Sequence, residues 1–149
     1  MNRSLFVAIG VAICFCGSLH AQSLKDRQRF QQWEQELQKE VASTNEKCGT
    51  NITASLDTAS WSVIPAERQT YNMASHCDEG CLYAVEMLCK DDLGKEAVKS
   101  QIAKITCKAH ADATPKVTVD KETKEMVCMF DASKLNFGDS IKEALENML

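Results

Sequence analysis

No cluster of lysine and arginine occurs in this chain: 17 basic residues are scattered along it against 21 acidic ones, giving a formal net charge of −4. Nucleic acids and anionic membrane surfaces both require a basic footprint, so neither is an expected partner. Also missing are a glycine-rich phosphate loop, a nucleophile elbow, a zinc-protease helix pair and a recognisably spaced serine, histidine and acid set. No cofactor is implied and no catalytic residue stands out. No two cysteines are separated by two residues, which removes the thioredoxin-like redox motif and the paired spacing of structural zinc sites. No apolar run reaches the ~20 residues that a membrane-spanning helix needs.

The longest such run, Leu5 to Leu19, is interrupted by Gly10 and Gly17, preceded by Arg3 and followed by the small residue Ala21. That order predicts a secretory signal peptide over residues 1–21, cut near Ala21. Ile13 ahead of Cys14 is not the small residue that a bacterial lipoprotein site prefers, so no membrane anchor is expected. Cleavage would leave 128 residues, six of the eight cysteines and a net charge of −5. Six cysteines in an exported chain of that size predict three disulfides and one small domain, secreted or periplasmic.

The cysteines organise the chain. Cys77, Cys81, Val85 and Cys89 recur at steps of four and form one ridge of a helix. Ser75 and Asp78 have the form of a capping box, which would start this helix near His76. Gly80 weakens its first turn by roughly 1 kcal/mol relative to alanine. Lys90 to Gly94 interrupts the pattern, and Asp91 or Asp92 can cap a second helix running through Lys104 with Val98, Ile102 and Ile105 inside. The two make a helical hairpin. Helix residues four apart present their Cβ atoms side by side, which suits a bridge poorly. Each of Cys77, Cys81 and Cys89 should therefore pair with one of Cys48, Cys107 and Cys128, reducing fifteen connectivities to six. The preferred set is Cys89 to Cys107, Cys48 to Cys81 and Cys77 to Cys128, with Cys48 to Cys77 and Cys81 to Cys128 as the exchanged arrangement.

Residues 22–44 carry Phe30, Trp33, Leu37 and Val41 at helical spacing. This narrow stripe predicts an amphipathic helix that packs on its own domain, residues 45–149, rather than a coiled coil. Asn45 to Met73 reads as loops with a short strand or helix. Within it Asn51-Ile52-Thr53 matches a glycosylation acceptor, a short pattern that works only in a eukaryotic secretory route. Ile105 to Cys107 leads towards a strand, and Val117 to Asp131 reads as a β-hairpin with Met126, Cys128 and Phe130 on one face. Ser140 and Glu143 form a second capping box before an amphipathic C-terminal helix bearing Ile141, Ala144, Leu145 and Met148. The expected class is α+β: an N-terminal helix, a disulfide-stapled helical hairpin, a small antiparallel sheet and a C-terminal helix.

Two resemblances follow from these residues. The spacing of Cys48, Cys77 and Cys81 resembles the opening of the insect odorant-binding pattern. That family places its next cysteine some forty residues later and is all-helical, whereas Cys89 follows after seven residues here and a hairpin is expected; the assignment is rejected. Cys48-Gly49, Leu56-Asp57, Leu88-Cys89-Lys90-Asp91, Gly94-Lys95 and Ile105-Thr106-Cys107 resemble segments of uncharacterised exported bacterial cysteine-rich proteins. That resemblance implies export and shared disulfides, and no activity.

His76, Cys77 and Cys81 are the best metal candidates, but a fourth ligand is missing and the thiols should oxidise, so no metal is expected and His76 and His110 read as surface histidines. Glu86, Asp91 and Asp92 read as caps and solvating charges. The expected function is a monomeric, non-enzymatic interaction module for an unknown protein or small ligand. The alternatives are a carrier with an apolar cavity lined by residues such as Trp61, Met87 and Phe130, and an enzyme in which His76 or His110 meets a carboxylate in a cleft.

Overall fold

Phe30, Trp33, Leu37, Val41, Thr44 and Cys48 continue a single buried stripe for longer than the first four apolar positions suggest, and helix α1 accordingly spans Leu24–Cys48. Ser23 caps its start by accepting from the Asp26 N–H, and Gly49 ends it at a positive φ of 64°, where a side chain would be strained. In the computed structural model the described residues are 23–110, 114–135 and 137–149. The expected cleavage site at Ala21, with Cys14 and Cys16, lies outside them. The boundary expected at residue 44 falls inside α1, whose stripe joins the same core as the sheet.

Four strands form one mixed sheet in the order β1-β2-β4-β3: β1 (Thr53–Leu56), β2 (Lys104–Ala109), β3 (Lys116–Asp120) and β4 (Glu125–Phe130). The β3–β4 hairpin is antiparallel, with Asp120 accepting from the Glu122 and Thr123 N–H groups in its turn. β1 with β2 and β2 with β4 are parallel, however, which corrects the expectation of a purely antiparallel sheet. The cause is the return of the chain: after β2 it passes β4's place, lays down β3 at the edge and turns back to insert β4. β1 is the other edge, and α1 covers it. Glu34 accepts from the Leu56 N–H, Gln38 donates to the Ala54 carbonyl, and Asn45 holds both the N–H and the carbonyl of Ile52. Those side chains occupy groups that an open strand edge would leave unpaired.

Inward residues alternate along β2 and β4: Ile105, Cys107 and Ala109 on one, Met126, Cys128 and Phe130 on the other. The helices lie on that face. Between the strands, short α2 (Thr58–Ser62) is capped by Asp57. The cysteine-bearing helix then runs as α3 (Met73–His76), a π-helical segment (Cys77–Leu82) and α4 (Tyr83–Leu88). Its cap is Asn72, whose side chain accepts from the Ser75 N–H at 2.7 Å, so the expected Ser75–Asp78 box does not form and the helix starts three residues before His76. α5 spans Asp92–Gln101, capped by Asp91. It stops short of Lys104 because Ile105 already belongs to β2.

α6 spans Gly138–Glu146 with Ile141 and Leu145 buried. It starts before Ser140, without a side-chain cap, so the second expected box is absent as well. The cysteine-bearing helix and α6 pack closely here: a Cβ on Gly80 would lie 1.9 Å from the Phe137 ring, and one on Gly138 would lie 2.4 Å from the Tyr83 ring. The π segment and α6 meet through two glycines, with the Phe137 ring lying over Gly80. Gly80 is thus a packing contact rather than merely a weak point of the helix.

Candidate functional site

The six cysteines of the described residues form three bridges: Cys48–Cys89, Cys77–Cys107 and Cys81–Cys128, with Cα separations of 5.2, 5.7 and 6.1 Å. Each joins the helical ridge to a cysteine outside it. The preferred pairs Cys89–Cys107, Cys48–Cys81 and Cys77–Cys128 are corrected. The helical hairpin does not return the chain to the end of α4; α5 delivers it to the centre of the sheet, so Cys107 lies beneath Cys77. Cys89, at the far end of α4, meets the end of α1 instead. Cys107 and Cys128 are register partners on neighbouring strands. Strands ~4.8 Å apart nearly match one helical turn of ~5.4 Å, so a helix crossing them sets Cys77 and Cys81 over adjacent strands. The Sγ atoms of Cys77, Cys81 and Cys107 all lie within 4.8 Å of one another, fully buried.

His76 does not join them. Its ring is buried in an aromatic group, stacked on Phe130 at 4.7 Å with Trp61, Tyr71 and Phe137 around it, which corrects its expected surface position. Its Nε2 lies 3.1 Å from the Ala132 carbonyl while Nδ1 is buried without a hydrogen bond. Burial holds this imidazole below its ordinary pKa, against the opposing pull of the Ala132 and Lys134 carbonyls and of Asp131. Trp61 and Phe130 are core residues, and Met87 lines a separate groove of about 330 Å³ with Leu93 and Leu149, so the three do not share one cavity.

What the topology does assemble is the carboxyl edge of the parallel strands. Asp57 directly follows β1, His110 follows β2 and Asp131 follows β4. Ligands of open parallel sheets are held at this edge, beyond the strand ends. Here a cleft of about 420 Å³ is lined by Ala59, Val63, Ile64, Pro65 and Ala109, with Asp57, Ser60, Arg68, Lys108 and His110 as its polar groups. Val63 is 79% exposed at its rim. Asp131 lies behind it, 3% exposed, and accepts from Arg68 at 3.1 and 3.2 Å and from the N–H and hydroxyl of Ser133. Burial alone would raise its pKa, but Ser133 and Arg68 outweigh burial and hold it below the usual carboxylate range. Lys108 approaches Asp57 at 3.6 Å, an ion pair beyond hydrogen-bond distance. Ser60 ties the floor together, its hydroxyl donating to the Asp57 carbonyl and accepting from the Ala109 N–H.

A second cluster lies between α1 and the π segment. Asp78 is pushed up to about 6 by burial first and then by Glu40, Glu86 and Glu79, with Lys47 opposing. Glu86, expected to be a solvating charge, is held by Thr44 at 2.9 Å and Lys47 at 2.6 Å.

Sequence reasoning singled out His110 but not Asp57, Arg68, Lys108 or Asp131, which are far apart along the chain and meet only through the parallel pairing. The one local signal was Asp57 followed by Ser60, an N-cap pattern in the irregular region. No family model matches the chain, and no curated protein or solved structure does either.

Proposed function

We propose that this protein is an exported, non-enzymatic binding module that takes a small amphipathic ligand, an apolar body bearing one anionic head, at the carboxyl edge of its sheet. The reading is carried by one observation: the carboxyl ends of the parallel strands β1 and β2 open into an apolar cleft lined in part by Lys108, with Asp131 after β4 behind it. Its volume falls within the ~300–1,000 Å³ of small-molecule sites, and a few polar groups on apolar walls are the usual lining of such sites. Lys108 is 46% exposed on its side chain and bound to Asp57 only at ion-pair distance, so it can turn to an incoming carboxylate. A binding role, rather than catalysis, is supported by the commitment of the carboxylates to structure: Asp57 caps α2, and Asp131 is taken up by Ser133 and Arg68. Export is supported by three disulfides, which persist in oxidising compartments. Among the described residues no helix is long and apolar enough to cross a membrane. A monomeric state is supported by the burial of Phe30, Trp33 and Leu37 within the chain's own core.

Amide NMR titration with decanoate tests the reading. Shifts centred on Val63, Lys108, Ala109 and His110 are expected, with affinity about tenfold lower in Lys108→Gln, the scale of one charged hydrogen bond. Decanol binding as tightly as decanoate would remove the anionic head from the proposal. Unmoved cleft amides at millimolar ligand would remove the site.

A further inference from the structure

The two bridges that tie the helix to the sheet lie against each other. Cys107 and Cys128 are register partners, Cys77 and Cys81 are one turn apart, and three of the four sulfurs lie mutually within 4.8 Å. All four side chains are 0% exposed. Cys48–Cys89 bridges a different place, the end of α1 to the end of α4, and its sulfurs are not in this group.

Exchange requires a thiolate to reach a disulfide sulfur, and an external thiol cannot reach a sealed one. A thiol inside this group already has that reach. We propose that Cys77, Cys81, Cys107 and Cys128 form an internal disulfide relay, in which a thiol at any one of them moves through the group by exchange without the helix leaving the sheet. The step balances within the protein. Cys81, once it has lost its proton, attacks the Cys107 sulfur; the Cys81–Cys107 bond forms as Cys77–Cys107 breaks, and the electron pair remains on the Cys77 sulfur, which takes up a proton. One disulfide and one thiol are present before and after, so no oxidant or reductant is consumed. Burial disfavours the thiolate, and the relay is therefore faster in alkaline solution. It gives the core a way to correct wrong pairings from within, while a wrong pairing at Cys48 or Cys89 needs an outside thiol or unfolding.

Two variants, each leaving one unpaired cysteine in the group, test the relay. Cys128→Ser leaves Cys81 unpaired and Cys77→Ser leaves Cys107 unpaired; both are held in mildly alkaline solution, quenched with acid at intervals, alkylated after unfolding and mapped by mass spectrometry. In the first, label is shared between Cys81 and Cys77, and in the second between Cys107 and Cys128. A Cys81–Cys107 bridge appears in both, at rates independent of protein concentration. Label confined to Cys81 and Cys107 respectively overturns the proposal, as does label on Cys48 or Cys89, which marks general scrambling. Should either variant fail to fold, oxidative refolding of the unaltered chain decides the matter: Cys81–Cys107 is expected among its partly oxidised species, and its absence throughout is the contrary result.

Discussion

The seam between the cysteine-bearing helix and the sheet, and the cleft at the sheet's carboxyl edge, are built from opposite materials. The seam is apolar and covalent: Met73, Leu82, Val85, Ile105 and Met126 are fully buried around two adjacent bridges. The cleft is held by polar groups bonding to backbone or to one another, through Asp57, Ser60, Arg68, Asp131 and Ser133. Packing plus a crosslink fixes position but leaves no chemistry at the surface. Polar groups on loops can meet a ligand, yet they hold their geometry only because the strands beneath are fixed. The contrast places the covalent support in one region and the proposed recognition in the other, and each can be broken separately.

The largest effect is expected from reduction. The bridges close spans of 41, 30 and 47 residues. Each contributes ~2–4 kcal/mol, so removing all three takes away most or all of the ~5–15 kcal/mol that a small domain has. Denaturant titration with and without reductant should show loss of the cooperative transition; a reduced protein that unfolds at the same midpoint would end the division of labour. Next comes Gly80→Ala. Its new Cβ would clash with the Phe137 ring, and overpacking costs ~1–3 kcal/mol, more than the helix-propensity gain of roughly 1 kcal/mol returns. A lower thermal midpoint is the expected reading, and Phe137→Ala should relieve part of the clash in the double variant.

Arg68→Gln tests the other region. It strips one partner from nearly buried Asp131, which keeps its Ser133 bonds, so the cost should be ~1–2 kcal/mol, measured by denaturant unfolding. Because the folded-state pKa of Asp131 lies below the ordinary carboxylate value, its contribution is present above that ordinary value and fades as pH falls through the folded one. The variant and the parent should therefore converge in strong acid. The smallest effect belongs to Asp78→Asn. Asp78 titrates at about 6 when folded against an ordinary 3.8, so the folded state binds its proton more tightly and stability declines as pH rises from 4 through 6. Removing the charge should stabilise the protein at pH 7 by about 1 kcal/mol, discounted for solvent screening at a half-exposed group, with the gain gone near pH 4. His76 runs the other way: its lowered pKa makes stability rise with pH up to the ordinary histidine value.

The two regions also differ in how much the sequence revealed. The seam was largely legible, because Cys77, Cys81, Val85 and Cys89 repeat at helical spacing and Met126, Cys128 and Phe130 at strand spacing, both local signals. What failed there was tertiary in origin. The π segment packs through Gly80 against Phe137, a residue distant in sequence, and the true pairing of Cys107 depends on where α5 delivers the chain. A short strand or helix was expected somewhere in Asn45 to Met73, but β1 could not be placed there for a different reason: Thr-Ala-Ser-Leu is short and weakly strand-forming, and it becomes a strand through its pairing with β2 and the side chains of α1. The cleft was almost illegible, because its residues come from separate segments, Asp57 to Arg68 and Lys108 to His110, with Asp131 behind them, that only the folded sheet brings together.

The sheet order has a consequence for synthesis. β2 and β4 are the interior strands, yet β4 is made after the other three, so the middle of the sheet is completed last. Until then the ribosome has released only β1 and β2, a parallel pair with nothing to close it, and β3 without its neighbour. A product cut short before residue 130 has no complete β4 and no filled interior, and one cut before Cys128 leaves Cys81 without its partner. Such truncated chains should be open to proteases along their whole length, and a chain that survives will be one whose translation has passed β4.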